Sequence, residues 1–165
     1  MVRSLLALII LIGSLSCKTK IKNEISPLKE KNDSLVVKAD VALKFINNYV
    51  AYCNNQINEV PLISWVGKQN NASKEFKSEL EKVIEEANKR DPEMGLGFDP
   101  IFDAQDYPDK GFELEELNNL KNIVVVKGIQ WSSFKLHIKM VLRKGRYLVH
   151  GLGIINLSVD DRVKR

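Results

Sequence analysis

Cysteine and histidine are nearly absent from this chain, and their scarcity removes whole classes of protein. Only Cys17 and Cys53 occur among 165 residues, too few for a disulfide scaffold. The two histidines, His137 and His150, lack a third partner at zinc-ligand spacing, so no metal site is read. Glycine-rich phosphate loops are missing: Gly95-Leu96-Gly97 is not followed by Lys-Ser/Thr, and no Gly-x-Ser-x-Gly elbow occurs. No cofactor is therefore expected. The net charge of +4 is modest, and no basic stripe alternates with aromatics, which argues against nucleic acid as a partner. The clearest apolar run, Leu5 to Ile12, is too short to cross a bilayer.

That run nevertheless has a use. Arg3 supplies a positive start, Leu5–Ile12 an apolar centre, and Gly13-Ser14-Leu15-Ser16 leads with small residues to Cys17. A basic start, a short apolar core and a small-residue site describe a secretory signal over residues 1–16. A cysteine directly after the small residue resembles the bacterial lipobox, although Leu15 stands one place later than the usual leucine. The resemblance implies cleavage before Cys17 and acylation of its thiol, so membrane lipid is an expected partner and the cell envelope the expected location. Two or more acyl chains hold a protein stably on a membrane, whereas one does so marginally. The alternatives are a cleaved but unlipidated protein and an uncleaved anchor.

Residues 17–33 mix Lys, Asn, Glu, Ser and Pro27 without periodicity and read as a tether. Five lysines there (Lys18, Lys20, Lys22, Lys29, Lys31) suit an anionic membrane surface. Residues 34–160 read as one domain and 161–165 as a polar tail. From about Ser34 to Asn54, Val37, Val41, Ala42, Phe45, Ile46, Tyr49, Val50 and Cys53 recur at steps of three and four. That spacing predicts an amphipathic helix, with Lys38, Lys44, Asn47 and Asn48 on its wet side and Asp33 or Ser34 as cap. Cys53 falls on the apolar face, where core packing is its simplest role. The patch Leu62–Val66 predicts a short helix or turn over the core. A second amphipathic helix is predicted from Ser73 to Lys89, with Phe76, Leu80, Val83, Ile84 and Ala87 inward, capped by Ser73 and stopped at Asp91-Pro92. Residues 93–119 read as loop. Then the period shifts to two: Ile123–Val126, Phe134–Leu142 and Tyr147–Leu157 read as strands, with Lys144-Gly145 as a tight turn. Helices followed by a meander predict an α+β fold, with helices packed on a curved antiparallel sheet.

Phe45-Ile46-Asn47-Asn48-Tyr49-Val50, then Asp99-Pro100-Ile101 and Ala104-Gln105-Asp106, then strands, resemble a family of bacterial putative lipoproteins without assigned function. The likeness spans about residues 38 to 157. It implies a nuclear transport factor 2-like domain, a cone of helices against a curved sheet, and an envelope location. It implies no chemistry.

Two groups of residues could carry chemistry. Asp99, Asp103, Asp106 and Asp109 lie close together with Gln105 between them. The calcium-loop template fails on them, since Ala104 and Lys110 occupy the sixth and twelfth positions counted from Asp99. They either fasten turns by accepting backbone hydrogen bonds or line a polar cleft. The hairpin turn at Lys144-Gly145 would pair Leu142 with Tyr147, Lys139 with His150 and His137 with Leu152. His137, His150 and Lys139 would then share one face, either as a wet surface or as an anion-binding or acid–base cluster. The sequence predicts a membrane-anchored, non-catalytic module that binds a protein or small molecule. The rival readings are a hydrolase- or isomerase-like pocket enzyme pairing Asp99 or Asp106 with His137 or His150, and an inhibitor or immunity-type protein.

Overall fold

The computed structural model describes residues 27–55 and 60–164. The predicted leader, Cys17 and the lysines Lys18, Lys20 and Lys22 lie outside the described residues. Among the described residues, no helix is long and apolar enough to cross a membrane.

Helix α1 runs from Pro27 to Asn54, seven residues earlier than the apolar period predicts. Pro27 is well placed there, because the first turn has no amide partner to lose. The stretch read as the end of the tether, residues 27–33, is thus helical. The buried stripe is Ala39, Ala42, Phe45, Ile46, Tyr49, Val50 and Cys53. It differs from the predicted stripe toward the N-terminal side, where Ala39 is buried and Val41 only half-buried. Val37 is 52% exposed, whereas Lys38, placed on the wet side, is 2% exposed. Lys38 tolerates burial because its Nζ donates to Asn119 Oδ1 at 2.8 Å and lies 6.0 Å from the centre of the Tyr147 ring. Ser34 does not cap the helix; its hydroxyl bonds Tyr147 Oη at 2.8 Å.

Helix α2 (Leu62–Gly67) brings Trp65 onto Tyr49 and Tyr52, with ring centres 5.3 and 5.1 Å away. Helix α3 (Lys74–Arg90) starts where expected: Ser73 Oγ accepts from Phe76 N at 3.1 Å, and Glu75 sits in the first turn. Phe76, Leu80 and Ala87 are its buried residues.

The sheet has four antiparallel strands in the order β1-β2-β3-β4: Phe112–Asn118, Ile123–Gly128, Lys135–Arg143 and Arg146–Leu152. The α+β class predicted from sequence is the one seen, with α1 touching all four strands. Strand β1 lies in the segment read as loop. Its Glu113, Glu115 and Glu116 hide the alternation because it is an edge strand, where carboxylates face water and discourage pairing with other chains. The opposite edge, β4, is covered: Val149 N donates to Asn71 O and Ser73 N to Val149 O, both at 2.8 Å. Strand β4 is shorter than predicted. Gly153 turns the chain at φ +60°, and any Cβ there would overlap the carbonyl oxygens of Pro100 and Ile101.

The two faces of the sheet are both occupied. Val124 and Val126 pair with Ile138 and Leu136 on the helix side. Ile123 and Val125 are also buried, on the other side, where His137 pairs with Val125 and Asp160 and Asp161 lie over both residues. The C-terminal segment holds this cover in place, with Arg162 Nη2 bonding the carbonyls of Ile154 and Leu157. Residues 161–164, read as a polar tail, are part of it.

Candidate functional site

The acidic loop is a structural knot under α1. Asp99 Oδ1 accepts from the amides of Ile101 and Phe102, both at 2.8 Å, and Oδ2 accepts from Tyr49 Oη at 2.5 Å. One carboxylate thereby fixes the turn after Pro100 and ties it to the helix. Burial pushes the Asp99 carboxyl up, and the bonds from Tyr49 and the backbone offset part of that rise. Burial likewise raises Tyr49 far above a normal phenol, and the Asp99 charge adds to it. Next to them Cys53 is pushed up to about 12, by burial first and Asp99 second. The Tyr49 hydroxyl and the Cys53 thiol thus hold their protons beside a carboxylate that is filled with hydrogen bonds, an arrangement that suits a structural tie.

The other members of the loop do different things. Gln105 is exposed and bonds Gly97 O at 3.2 Å. Asp106, expected to fasten the turn, is exposed and accepts no hydrogen bond among the described residues. Among the described residues no group of three or more His, Cys, Asp or Glu could hold a metal ion.

The two histidines are separated by a bulge. Leu142 pairs with Tyr147 as predicted, but the register slips between Lys139 and Met140. Lys139 therefore pairs with Gly151 and Ile138 with Leu152, which leaves His150 as the extra residue. Gly151 permits the slip, since a Cβ there would sit 2.7 Å from Asn156 O. His150 Nδ1 lies 3.2 Å from Ser73 Oγ. Ser73 Oγ also accepts from Phe76 N, so this hydroxyl joins the start of α3 to the bulge. Burial, the leading cause, lowers the His150 pKa, with Lys139 and Arg143 also lowering it and Glu75 opposing. His137 is placed otherwise: Nδ1 donates to the carbonyl of Asp161 at 2.7 Å.

The structure brings together neither Asp99 nor Asp106 with either histidine. The aspartates near His137 are Asp103, from the acidic loop but not one of the two proposed as its partner, and Asp161, which the sequence did not single out. Asp103, held at φ +54°, shares with His137 and Arg162 a void of about 10 Å³, the space of a single water. On the outer face of the sheet, Asn118, Lys121, His137 and Asp161 line a shallow cavity of about 170 Å³ floored by Ile123 and Val125. There Lys121 Nζ pairs with Asp161 Oδ1 at 2.7 Å, holding each of the two charges. Against the helices, where a cone-shaped fold would enclose a pocket, the space is filled by Phe45, Tyr49, Phe76, Phe102 and Ile138.

No protein-family model matches the chain, and comparison with curated proteins and with solved structures found no match either.

Proposed function

We propose that this chain is an envelope lipoprotein, held on a membrane through acylated Cys17, whose α+β domain is a non-catalytic binding module. One observation carries the non-catalytic part: the half-buried candidate acids and bases, Asp99, His137 and His150, are each engaged in holding the fold. Asp99 is bound by Tyr49 and two amides, His150 by Ser73, and His137 by the Asp161 carbonyl. The anchor rests on the order basic start, apolar run, small residues and cysteine in residues 1–17. The nuclear transport factor 2-like reading belongs to the same proposal and is supported by helices packed on an antiparallel sheet.

Chemical cross-linking in intact envelopes tests the module. A binding protein gives a discrete heavier species that is lost with Cys17→Ala, because the partner is met only at the membrane. An unlinked chain under the same conditions, with Cys17 acylated, contradicts the reading.

A further inference from the structure

We infer that the end of the domain formed by the β1–β2 and β3–β4 turns is a docking surface for anionic phospholipid. In an antiparallel meander these two turns lie at the same end of the sheet. They are built alike. The first, Asn119-Leu120-Lys121-Asn122, exposes Leu120 at 98%. The second, Leu142-Arg143-Lys144-Gly145-Arg146, exposes Leu142 at 54%. The second turn sets its leucine among Arg143, Lys144 and Arg146, and the first sets Leu120 beside Lys121, which pairs with Asp161 next to Asp160 and Glu116. Apolar tips flanked by Lys and Arg are the chemistry of an interfacial membrane contact.

The second turn concentrates positive charge against its own interest. Arg143 and Arg146 are direct cross-strand partners, and like charges so placed weaken a hairpin. Lys144 stands between them at φ +48°, a position that favours Asn, Asp or Gly. The nearest relief is Glu75, 3.9 Å from Arg143, while Lys121 has Asp161. A local cost of this kind is expected where the charge serves an outside partner.

Orientation supplies the occupant. Helix α1 reaches this end first: Lys38 bonds Asn119, and Ser34 bonds Tyr147. Its far end lies elsewhere, with Asn54 Nδ2 donating to Asp109 O at 2.9 Å. The first half of α1 therefore lies on the side of the two turns. Nine residues lie between Cys17 and Pro27, so the ten steps of chain reach at most roughly 35 Å. This part of the argument rests on the lipid-anchor reading; the composition of the turns does not.

Single-cysteine fluorescent labels test the inference on the full, processed protein, since acylation blocks Cys17 and Cys53 is buried. Labels go at Leu120→Cys, Leu142→Cys and, at the opposite end, Lys110→Cys. Vesicles of phosphatidylcholine with phosphatidylglycerol are compared with phosphatidylcholine alone. The labels at 120 and 142 should shift to the blue and resist a water-soluble quencher on the anionic vesicles only, while the label at 110 stays accessible. Lys144→Gln and Arg146→Gln, checked for unchanged melting, should each weaken that protection about fivefold, as about 1 kcal/mol per base implies. Equal quenching at all three sites overturns the inference. So does shielding that grows with protein concentration without vesicles, which would make a second copy the occupant. If the intact mass shows no acyl group, the anchor reading fails separately, and vesicles added to the unacylated protein decide the docking surface by the same labels.

Discussion

At the scale of single residues, polar groups in this domain act as fasteners. Asp99 satisfies two amides and the Tyr49 hydroxyl. Asp99→Ala removes a turn cap and strands a buried phenol. It should destabilise by about 1–3 kcal/mol in urea unfolding, and Tyr49→Phe by less, since it leaves no buried donor behind. A loss near zero for Asp99→Ala would show the knot to be incidental. His150 gives a pH signature. Its folded-state pKa lies below the ordinary 6.5, so the unfolded chain binds more protons between the two values. Stability from this group is complete above 6.5 and is lost as pH falls through the folded value. His150→Gln should flatten that part of the stability–pH curve, and an unchanged slope would assign it to another group. The residue types at these sites were legible: an aspartate ahead of Pro100 marks a turn. Their partners were not, because Tyr49 meets Asp99 across fifty positions, a tertiary contact that local spacing does not encode.

At the scale of elements, periodicity spoke wherever one face is buried and the other is wet. Helix α3 and strand β3 have that contrast, and both lie within a residue or two of their predicted bounds. Truncating Leu80 or Ile138, at 1% and 0% exposure, to Ala should cost about 2–5 kcal/mol in urea unfolding. A loss well under 1 kcal/mol would mean that these positions are not packed as described. Strand β1 was invisible because an edge strand with glutamates on consecutive positions carries no period of two. The bulge at His150 was equally hidden. Turn chemistry fixed the first pairs of the β3–β4 hairpin, and a slip further along depends on Gly151 and the segment packed against it. One extra residue was enough to separate two histidines that simple counting placed together.

At the scale of the whole molecule, the proposal joins a leader read from residues 1–17 to a domain whose described core is filled by side chains and whose Asp99, His137 and His150 hold the fold. Such a domain has its outer surfaces left for work, and the proposed anchor would decide which of them meets the membrane. The anchor is therefore the claim on which the rest turns. Intact mass of the protein extracted from membranes tests it most directly. The account predicts a chain beginning at Cys17 and heavier than its amino acids by the acyl groups on that residue, with Cys17→Ala lost from the membrane fraction. A chain beginning at Met1, or a Cys17 that carries no lipid, would contradict it.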